Sequence, residues 1–264
     1  MISNLSIGQY IPGDSFLHKM DARVKLVISM ILIILIFFVK SLGGYIAFAA
    51  FLIIAIAFSS IPIKLILKSI KSMWFVMALA FILNVFFQTG QTLIWEWSFV
   101  KLYKENLIRG AEMVVRLIML VEITSLLSFT TSAKELTDAI ELLFKPLAKI
   151  GFPVHEMALM MSIALRFIPT LINETDKIMK AQTARGAAFD SGSLISRIKD
   201  MIPILIPLFI NSFKRADDLA LAMEARCYSD SAKRTRLIEY HLSWRDYVAM
   251  GITAILLVLI IVGI

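Results

Sequence analysis

Two similar segments of the chain each end a helical pattern with an alanine followed by an arginine. They are Ala184-Arg185-Gly186 and Ala225-Arg226-Cys227, and their arginines lie 41 residues apart. A guanidinium at the C-terminus of a helix complements the negative end of the helix dipole and keeps donors free to point outward. One such arginine is ordinary helix capping. A duplicated one, in a chain this apolar, predicts two equivalent docking points for two equivalent partner surfaces.

The other residues that could do chemistry do not form a catalytic constellation. The sequence has no GxxxxGK[ST] motif, so we expect no nucleotide site in this chain. His155-Glu156 begins like a zinc-protease motif, but Leu159 stands where the second histidine is needed. Asp217-Asp218 is similar to the magnesium-diphosphate sites of membrane prenyltransferases, although no second acidic cluster accompanies it. We therefore expect no metal site and no enzyme, with a membrane-embedded prenyl or phosphoryl transferase as the alternative.

Two acids and a base, Glu112, Glu122 and Arg116, lie inside one apolar segment. Glu112 and Arg116 are four residues apart, a spacing that places them on one face of a helix. Charges at membrane depth are by default candidates for function. A mutually paired structural couple near the outer interface explains them equally well, and both interpretations stay open.

The composition indicates an all-α integral membrane protein. Of 264 residues, 59% are hydrophobic, and the mean hydropathy is +0.81. A single cysteine excludes an internal disulfide framework. A helix needs about 20 apolar residues to cross the hydrocarbon core. Five segments approach or meet that length: residues 24–39, 42–59, 73–88, 107–129 and 247–264. Lys25 and Lys40, at the two ends of the first, are placed to reach the membrane surface.

Lysine and arginine residues predict the orientation of these spans. The N-terminal segment carries Lys19, Arg23 and Lys25, and the loop between the second and third spans carries three more lysines. By the positive-inside bias the N-terminus is cytoplasmic. Five crossings then leave the C-terminus outside. Residues 130–246 hold 16 of the 27 basic residues and lie on the cytoplasmic side, so nucleic acid is not needed to explain the charge.

The cytoplasmic segment is predicted to contain three helices. The first starts at Ser132, with Glu135 completing a capping box, and ends before Pro146. The second covers about residues 154–184, contains Pro169 and ends at Gly186. The third covers about residues 194–225. This divides the chain into a membrane domain with four spans, a coupling domain with three helices and a final span, at residues 1–131, 132–246 and 247–264.

Several motifs resemble one known family along essentially the whole chain. They are GQYIPGDS at 8–15, LHKMDARVKL at 17–26, TTS at 130–132, LRFIP at 165–169, AQTARG at 181–186 and RADDLALAMEAR at 215–226. These segments resemble the transmembrane T component of energy-coupling factor (ECF) transporters. Ala22 stands where that family usually has proline, and Cys227 where it usually has glycine. The opening GQYIPGDS is similar to the shared type, which serves several substrate-binding S components.

The resemblance implies a scaffold subunit of an ABC-type importer in a prokaryotic cell membrane. It implies that the two arginine motifs dock in grooves on two ABC-type ATPases, EcfA and EcfA′, which bind ATP and Mg²⁺. It implies an S component that binds a vitamin and packs against this chain. We expect the apolar stripe of the third cytoplasmic helix to be buried against the other coupling helices or the S component, through Leu205, Leu208, Phe209 and Leu219. A T component dedicated to cobalt or nickel uptake is the alternative within transport.

Overall fold

The protein is built of helices connected by short segments. The computed structural model describes residues 10–87, 92–97, 100–187, 194–228 and 241–262. Its elements are α1 (Ala22–Leu35), α2 (Leu42–Ser59), α3 (Ile63–Ser72), α4 (Trp74–Phe87), β1 (Leu93–Trp97), β2 (Val100–Tyr103), α5 (Lys104–Thr130), α6 (Ala133–Phe144), α7 (Val154–Ala184), α8 (Leu194–Ala225) and α9 (Trp244–Val262). The predicted all-α membrane class is confirmed. The antiparallel hairpin of β1 and β2 is an addition that the sequence analysis did not predict.

Side-chain caps fix where several helices start. The Asp21 carboxylate accepts from the Arg23 backbone N–H at 2.8 Å and starts α1. Ser132 and Glu135 form the predicted capping box, which is confirmed: the Glu135 N–H donates to Ser132 Oγ at 3.2 Å, and the Ser132 N–H donates to the Glu135 carboxylate at 3.0 Å. α6 therefore begins at Ala133, directly after the N-cap that the sequence predicts.

Length and apolarity identify the helices that could cross a membrane. Among the described residues, α2, α5, α7 and α9 each meet the criterion, and α3 with α4 forms a fifth candidate, bent by 51°. α1 has 14 residues, about 21 Å at 1.5 Å per residue, so it is shorter than the predicted span 24–39. α7, which the sequence analysis placed on the cytoplasmic side, also meets the criterion, although it is less apolar than α2, α5 and α9. Its side of the membrane stays a prediction.

The described helices divide into two compact units. One contains α7 and α8, and the other contains α1 to α6, the hairpin and α9. In the larger unit α1 packs against α5, α6 and α9, and α2 packs against α5 and α9. Because α6 packs on α1, it belongs to the larger compact unit, whose boundary falls near residue 147. The division into membrane and coupling domains at residue 132 stays a prediction.

The closest helix pairing in the larger unit joins α4 to α5 at a glycine. A Cβ added to Gly110 would lie 3.1 Å from Phe81 Cδ2 and 3.2 Å from Val85 Cγ2. These distances are tighter than ordinary van der Waals contact, so the glycine permits the two helices to approach closely. Small residues serve this purpose in membrane helix pairs generally.

Candidate functional site

The first arginine motif forms a complete helix-ending turn. Arg185 is the C-cap of α7, and Gly186 follows with a φ of +94°. The Gly186 N–H donates to the Thr183 carbonyl at 2.9 Å, and the Ala187 N–H donates to the Gln182 carbonyl at 3.0 Å. These are the two bonds of a Schellman motif, which satisfies carbonyls that the last helical turn would otherwise leave unpaired. The predicted end of this helix at Gly186 is confirmed.

The second arginine motif repeats the same turn. The Cys227 N–H donates to the Glu224 carbonyl at 2.8 Å, and the Tyr228 N–H donates to the Met223 carbonyl at 2.9 Å. Cys227 has a φ of +57°, the left-handed conformation that Gly186 adopts at the end of α7. The sequence repeat is therefore a structural repeat, and the cysteine keeps the turn at the strain cost of a non-glycine residue.

Both arginines are exposed at these helix ends. Among the described residues neither guanidinium forms an ion pair with a carboxylate, whereas Lys180, one turn before Arg185, pairs with Asp176 at 2.6 Å. No described carboxylate therefore occupies the planar set of donors of either guanidinium. All six residues of the two motifs, Ala184 to Gly186 and Ala225 to Cys227, are exposed at the surface.

Contacts between α7 and α8 place the two motifs at separate ends of one helix pair. The Asn211 amide donates to the Glu174 carboxylate at 3.1 Å, and the Arg215 guanidinium lies 5.9 Å from the centre of the Phe167 ring. Phe167 precedes Glu174 on α7, whereas its partner Arg215 follows Asn211 on α8, so the two helices are antiparallel here. Each arginine lies about 13–15 residues beyond the midpoint of these two contacts on its own helix, roughly 20 Å along the helix axis. The two arginines are thus similarly distant from the crossing.

α8 carries a large apolar surface that the described residues do not cover. Of the four predicted interface residues, Leu205 and Phe209 are exposed, at 45% and 61%, and Leu208 and Leu219 are half-buried. Phe209 stacks on the next exposed ring, Phe213, with 6.3 Å between centroids. Burial of this stripe therefore stays a prediction that needs a partner.

A buried polar cluster lies in the larger unit, where the N-terminal motif meets α5 and α9. We call Asp21, Arg23, Lys25, Glu135 and Asp246 the N-terminal cluster. The Lys25 ammonium donates to the Thr130 carbonyl at 2.8 Å and thereby caps the end of α5. The negative charges of Glu135, Asp246 and Asp21 attract the Lys25 ammonium from a longer distance. The prediction that Lys25 reaches the membrane surface is wrong, because its side chain turns inward to these acceptors and the residue is 8% exposed.

Asp246 links α9 to this cluster. One carboxylate oxygen accepts from the Asp21 N–H at 2.9 Å, and the other accepts from the Ser243 N–H at 2.7 Å. Burial would raise the pKa of Asp21, but hydrogen bonds from the Arg23 side chain and N–H and the charges of Arg23 and Lys25 lower it below its ordinary value. Sequence reasoning missed this cluster. Its only local signals were Ser243 three residues before Asp246, a capping-box spacing, and the DARVK motif.

The predicted pairing of Glu112 with Arg116 is wrong. The Arg116 guanidinium donates to the Tyr45 hydroxyl at 2.7 Å and lies 5.8 Å from the centre of the Phe37 ring. Glu112 is exposed. Arg116 instead contacts the Tyr45 hydroxyl at the start of α2 and the Phe37 ring, which follows α1.

The residues weighed for metal chemistry do not come together. His155, Asp217 and Asp218 lie on α7 and α8 with exposed side chains. Within the part of the chain that the structure describes, no group of three or more histidine, cysteine or acidic residues could hold a metal ion. These positions therefore give no support to the transferase alternative.

The apolar helices define an integral membrane protein. The family described as CbiQ, cobalt transport protein, matches residues 13–237. A relative from Clostridium kluyveri is 52% identical over 261 residues, covering 98% of this chain and 96% of its own. One from Ruminiclostridium cellulolyticum is 48% identical over 99% and 97%, and one from Bacillus subtilis is 41% identical over 89% of each. All three are named energy-coupling factor transporter transmembrane protein EcfT. The chain belongs to this EcfT family of transmembrane transporter components.

Proposed function

We propose that this chain is the scaffold and coupling subunit of an ECF-type importer, passing the motion of two ATPases, EcfA and EcfA′, to a vitamin-binding S component. The observation that carries the proposal is the structural identity of the two arginine turns. Two exposed guanidiniums in the same turn, each at the end of a long helix, suit two ATPases of one fold. ATP and Mg²⁺ belong to those partners, and this chain supplies no cofactor of its own.

The energetics of the two arginines suit reversible docking. A guanidinium that forms a charge-assisted hydrogen bond to a partner carboxylate gains about 1.5–3 kcal/mol per bond. The Schellman turns hold the arginine backbones in place, so little backbone entropy is lost on docking. A closing movement of the ATPases would act on both ends of the α7–α8 pair, each about 20 Å from the crossing. The α7–α8 pair would transmit this movement to the S component that contacts its apolar surface.

The exposed stripe on α8 is the surface that we assign to the S component and the other coupling helices. Leu205 and Phe209 would bury most of their side chains there, joined by Leu208 and Leu219. Burial gains about 25 cal/mol per Å² of apolar surface, so an aromatic ring contributes appreciably. Phe209→Asp should prevent assembly because it places an unpaired charge in that interface, whereas Phe209→Leu keeps an apolar side chain and should allow it.

The topology that accompanies this function has a cytoplasmic N-terminus, a cytoplasmic α7–α8 pair and an external C-terminus. It rests on the basic residues that precede α1 and lie on α3, namely Lys64, Lys68 and Lys71. A cysteine introduced at the Asp14 position should react with an impermeant maleimide only after permeabilisation, in a Cys227→Ser background. Labelling of intact cells would contradict the orientation.

The test of the proposal is capture of the partners by a tagged chain carrying Arg185→Ala, Arg226→Ala or both. Each single variant should retain less ATPase, and the double variant should retain almost none, while membrane insertion is unchanged. Lys180→Ala is the matched control, since it removes a nearby exposed cation outside the turn. Mass spectrometry of the captured S component also separates vitamin transport from the cobalt or nickel alternative. Full capture by the double variant would refute arginine docking.

A further inference from the structure

The larger unit contains an apolar cavity of about 470 Å³. Residues of α1, α2, α5 and α9 line it, together with Phe16, Leu17 and Met20 from the segment before α1. Leu32, Leu52 and Ile123 form a buried floor. α2, α5 and α9 are candidate membrane spans, so the cavity lies within the membrane part of the molecule. Its size falls in the range of ligand sites, about 300–1,000 Å³.

Apart from Trp244, which is exposed at one end, the polar side chains in the lining already have hydrogen-bond partners within the chain. The hydroxyls of Ser29, Thr130 and Thr253 donate to backbone carbonyls three or four residues earlier on their own helices, at 2.7–2.8 Å. The Lys25 ammonium donates to the Thr130 carbonyl at 2.8 Å. A polar ligand would lose its hydration and gain no partner here. The occupant is therefore a hydrocarbon.

The shape of the cavity indicates which hydrocarbon. Its lining on α9 runs from Trp244 to Thr253, about 14 Å along the helix, which is half of a 30 Å hydrocarbon core and so the depth of one leaflet. The mouth lies between α2 and α9, where the lining residues Ile54, Phe58 and Ile252 are exposed. A chain from the surrounding bilayer could enter sideways through this mouth.

Three aromatic lining residues, Phe16, Phe58 and Trp244, lie together at one end of the cavity, and Arg245 is next to them. Phe16 packs against Phe58 and Trp244, with ring centroids 6.2 and 5.7 Å apart. Arg245 lies over the Trp244 ring at 6.0 Å and forms no ion pair with any described carboxylate. Tryptophan and arginine at the end of a membrane helix mark the headgroup level. A cation above an apolar cavity complements a phosphate joined to an acyl chain.

We propose that this cavity binds one phospholipid, with an acyl chain between α1, α2, α5 and α9 and its phosphate at Arg245. No residue of α7 or α8 lines this site, so lipid binding can be tested independently of ATPase docking at the arginine turns. The acyl chain gains little by moving from the bilayer into this cavity, because lipid tails are as apolar as the lining, so the phosphate contact provides the selectivity.

The test is photo-crosslinking of the full chain in nanodiscs with a phosphatidylglycerol that carries a diazirine on one acyl chain. Labelled peptides should concentrate on the cavity floor of α5 and the inner face of α9. Ala55→Phe fills the cavity from α2 and should lower this labelling at least fivefold. Ala57→Phe adds the same ring on the exposed face of α2 and should change nothing. Ala249→Phe is a second filling variant from α9.

Competition tests the phosphate contact. Unlabelled phosphatidylglycerol should displace the probe at least fivefold better than a diacylglycerol with the same chains, and Arg245→Gln should abolish that difference. Labelling spread evenly over all exposed helices, or equal in the Ala55 and Ala57 variants, would overturn the site. Equal competition by diacylglycerol would overturn the phosphate contact. Loss of the lipid label in the assembled transporter, with cross-links from the lining to a partner helix, would show a protein occupant and also contradict the proposal.

Discussion

Removal of the Lys25 ammonium should be among the most destabilising single changes in the larger unit. Lys25→Met keeps the length of the side chain and removes its charge and donors. The Thr130 carbonyl, at 2.8 Å, then loses its donor, and the His18 carbonyl, at 3.3 Å, loses a weaker one. The Glu135, Asp246 and Asp21 carboxylates lose the cation that faces them.

The structure sets the size of this effect. Lys25 is 8% exposed, so solvent screens the cluster little. Lys25 forms no ion pair with a described carboxylate, so the main loss is its charge-assisted hydrogen bond to the buried Thr130 carbonyl, about 1.5–3 kcal/mol. For a unit of this size, 1 kcal/mol corresponds to about 2–4 °C in Tm. The expected loss is therefore on the order of 3–12 °C in apparent Tm.

The assay is thermal unfolding of the purified chain in nanodiscs, followed by tryptophan fluorescence. Lys40→Met is the matched control, because Lys40 is exposed beyond the other end of α1 and should shift Tm by less than about 2 °C. A Lys25→Met variant that melts within 2 °C of the parent would refute the reasoning. It would mean that Lys25 does not hold α1 to the end of α5.

Three smaller predictions follow from local geometry. Cys227→Gly should stabilise the end of α8 by about 1 kcal/mol, because φ is +57° there, and Gly186→Ala should destabilise the end of α7, both read by hydrogen exchange of the last-turn amides. Because the pKa of Asp21 lies below its ordinary value of 3.8, its stabilisation is present above that pH and is lost as the pH falls through the lower value, and Asp21→Asn should remove this dependence in acid melts. Gly110→Leu should separate α4 from α5 and lower the apparent Tm, since even a Cβ meets Phe81 at 3.1 Å.

The elements with local signals could be predicted from the sequence. The capping box at Ser132 gave the start of α6, and Gly186 gave the end of α7. The arginine repeat could be recognised in the sequence because both copies place Ala-Arg at the end of a helical pattern. These signals work because a cap or a left-handed turn involves residues within one helical turn of each other.

The contacts between distant residues could not be predicted in this way. Lys25 and Thr130 are 105 positions apart, and Arg116 and Tyr45 are 71 apart. From the sequence alone, Lys25 fits a lysine that reaches the membrane surface, and Arg116 fits a helical ion pair with Glu112. Only the tertiary fold decides which acceptor is nearest to each side chain. The same holds for the stripe on α8, where helical periodicity identifies Phe209 as a face residue but does not identify what covers it.

The most direct test of the coupling function is the number of ATP molecules hydrolysed per substrate imported. It is measured in proteoliposomes that contain the ATPases, the S component and this chain with Arg185→Ala and Arg226→Ala together. The proposal predicts that uptake is lost while the chain remains inserted, that either single variant retains part of it, and that lysine at these positions restores it only partly because it lacks the planar fork. Normal uptake at an unchanged ratio in the double alanine variant would contradict the claim that these two helix ends couple hydrolysis to transport.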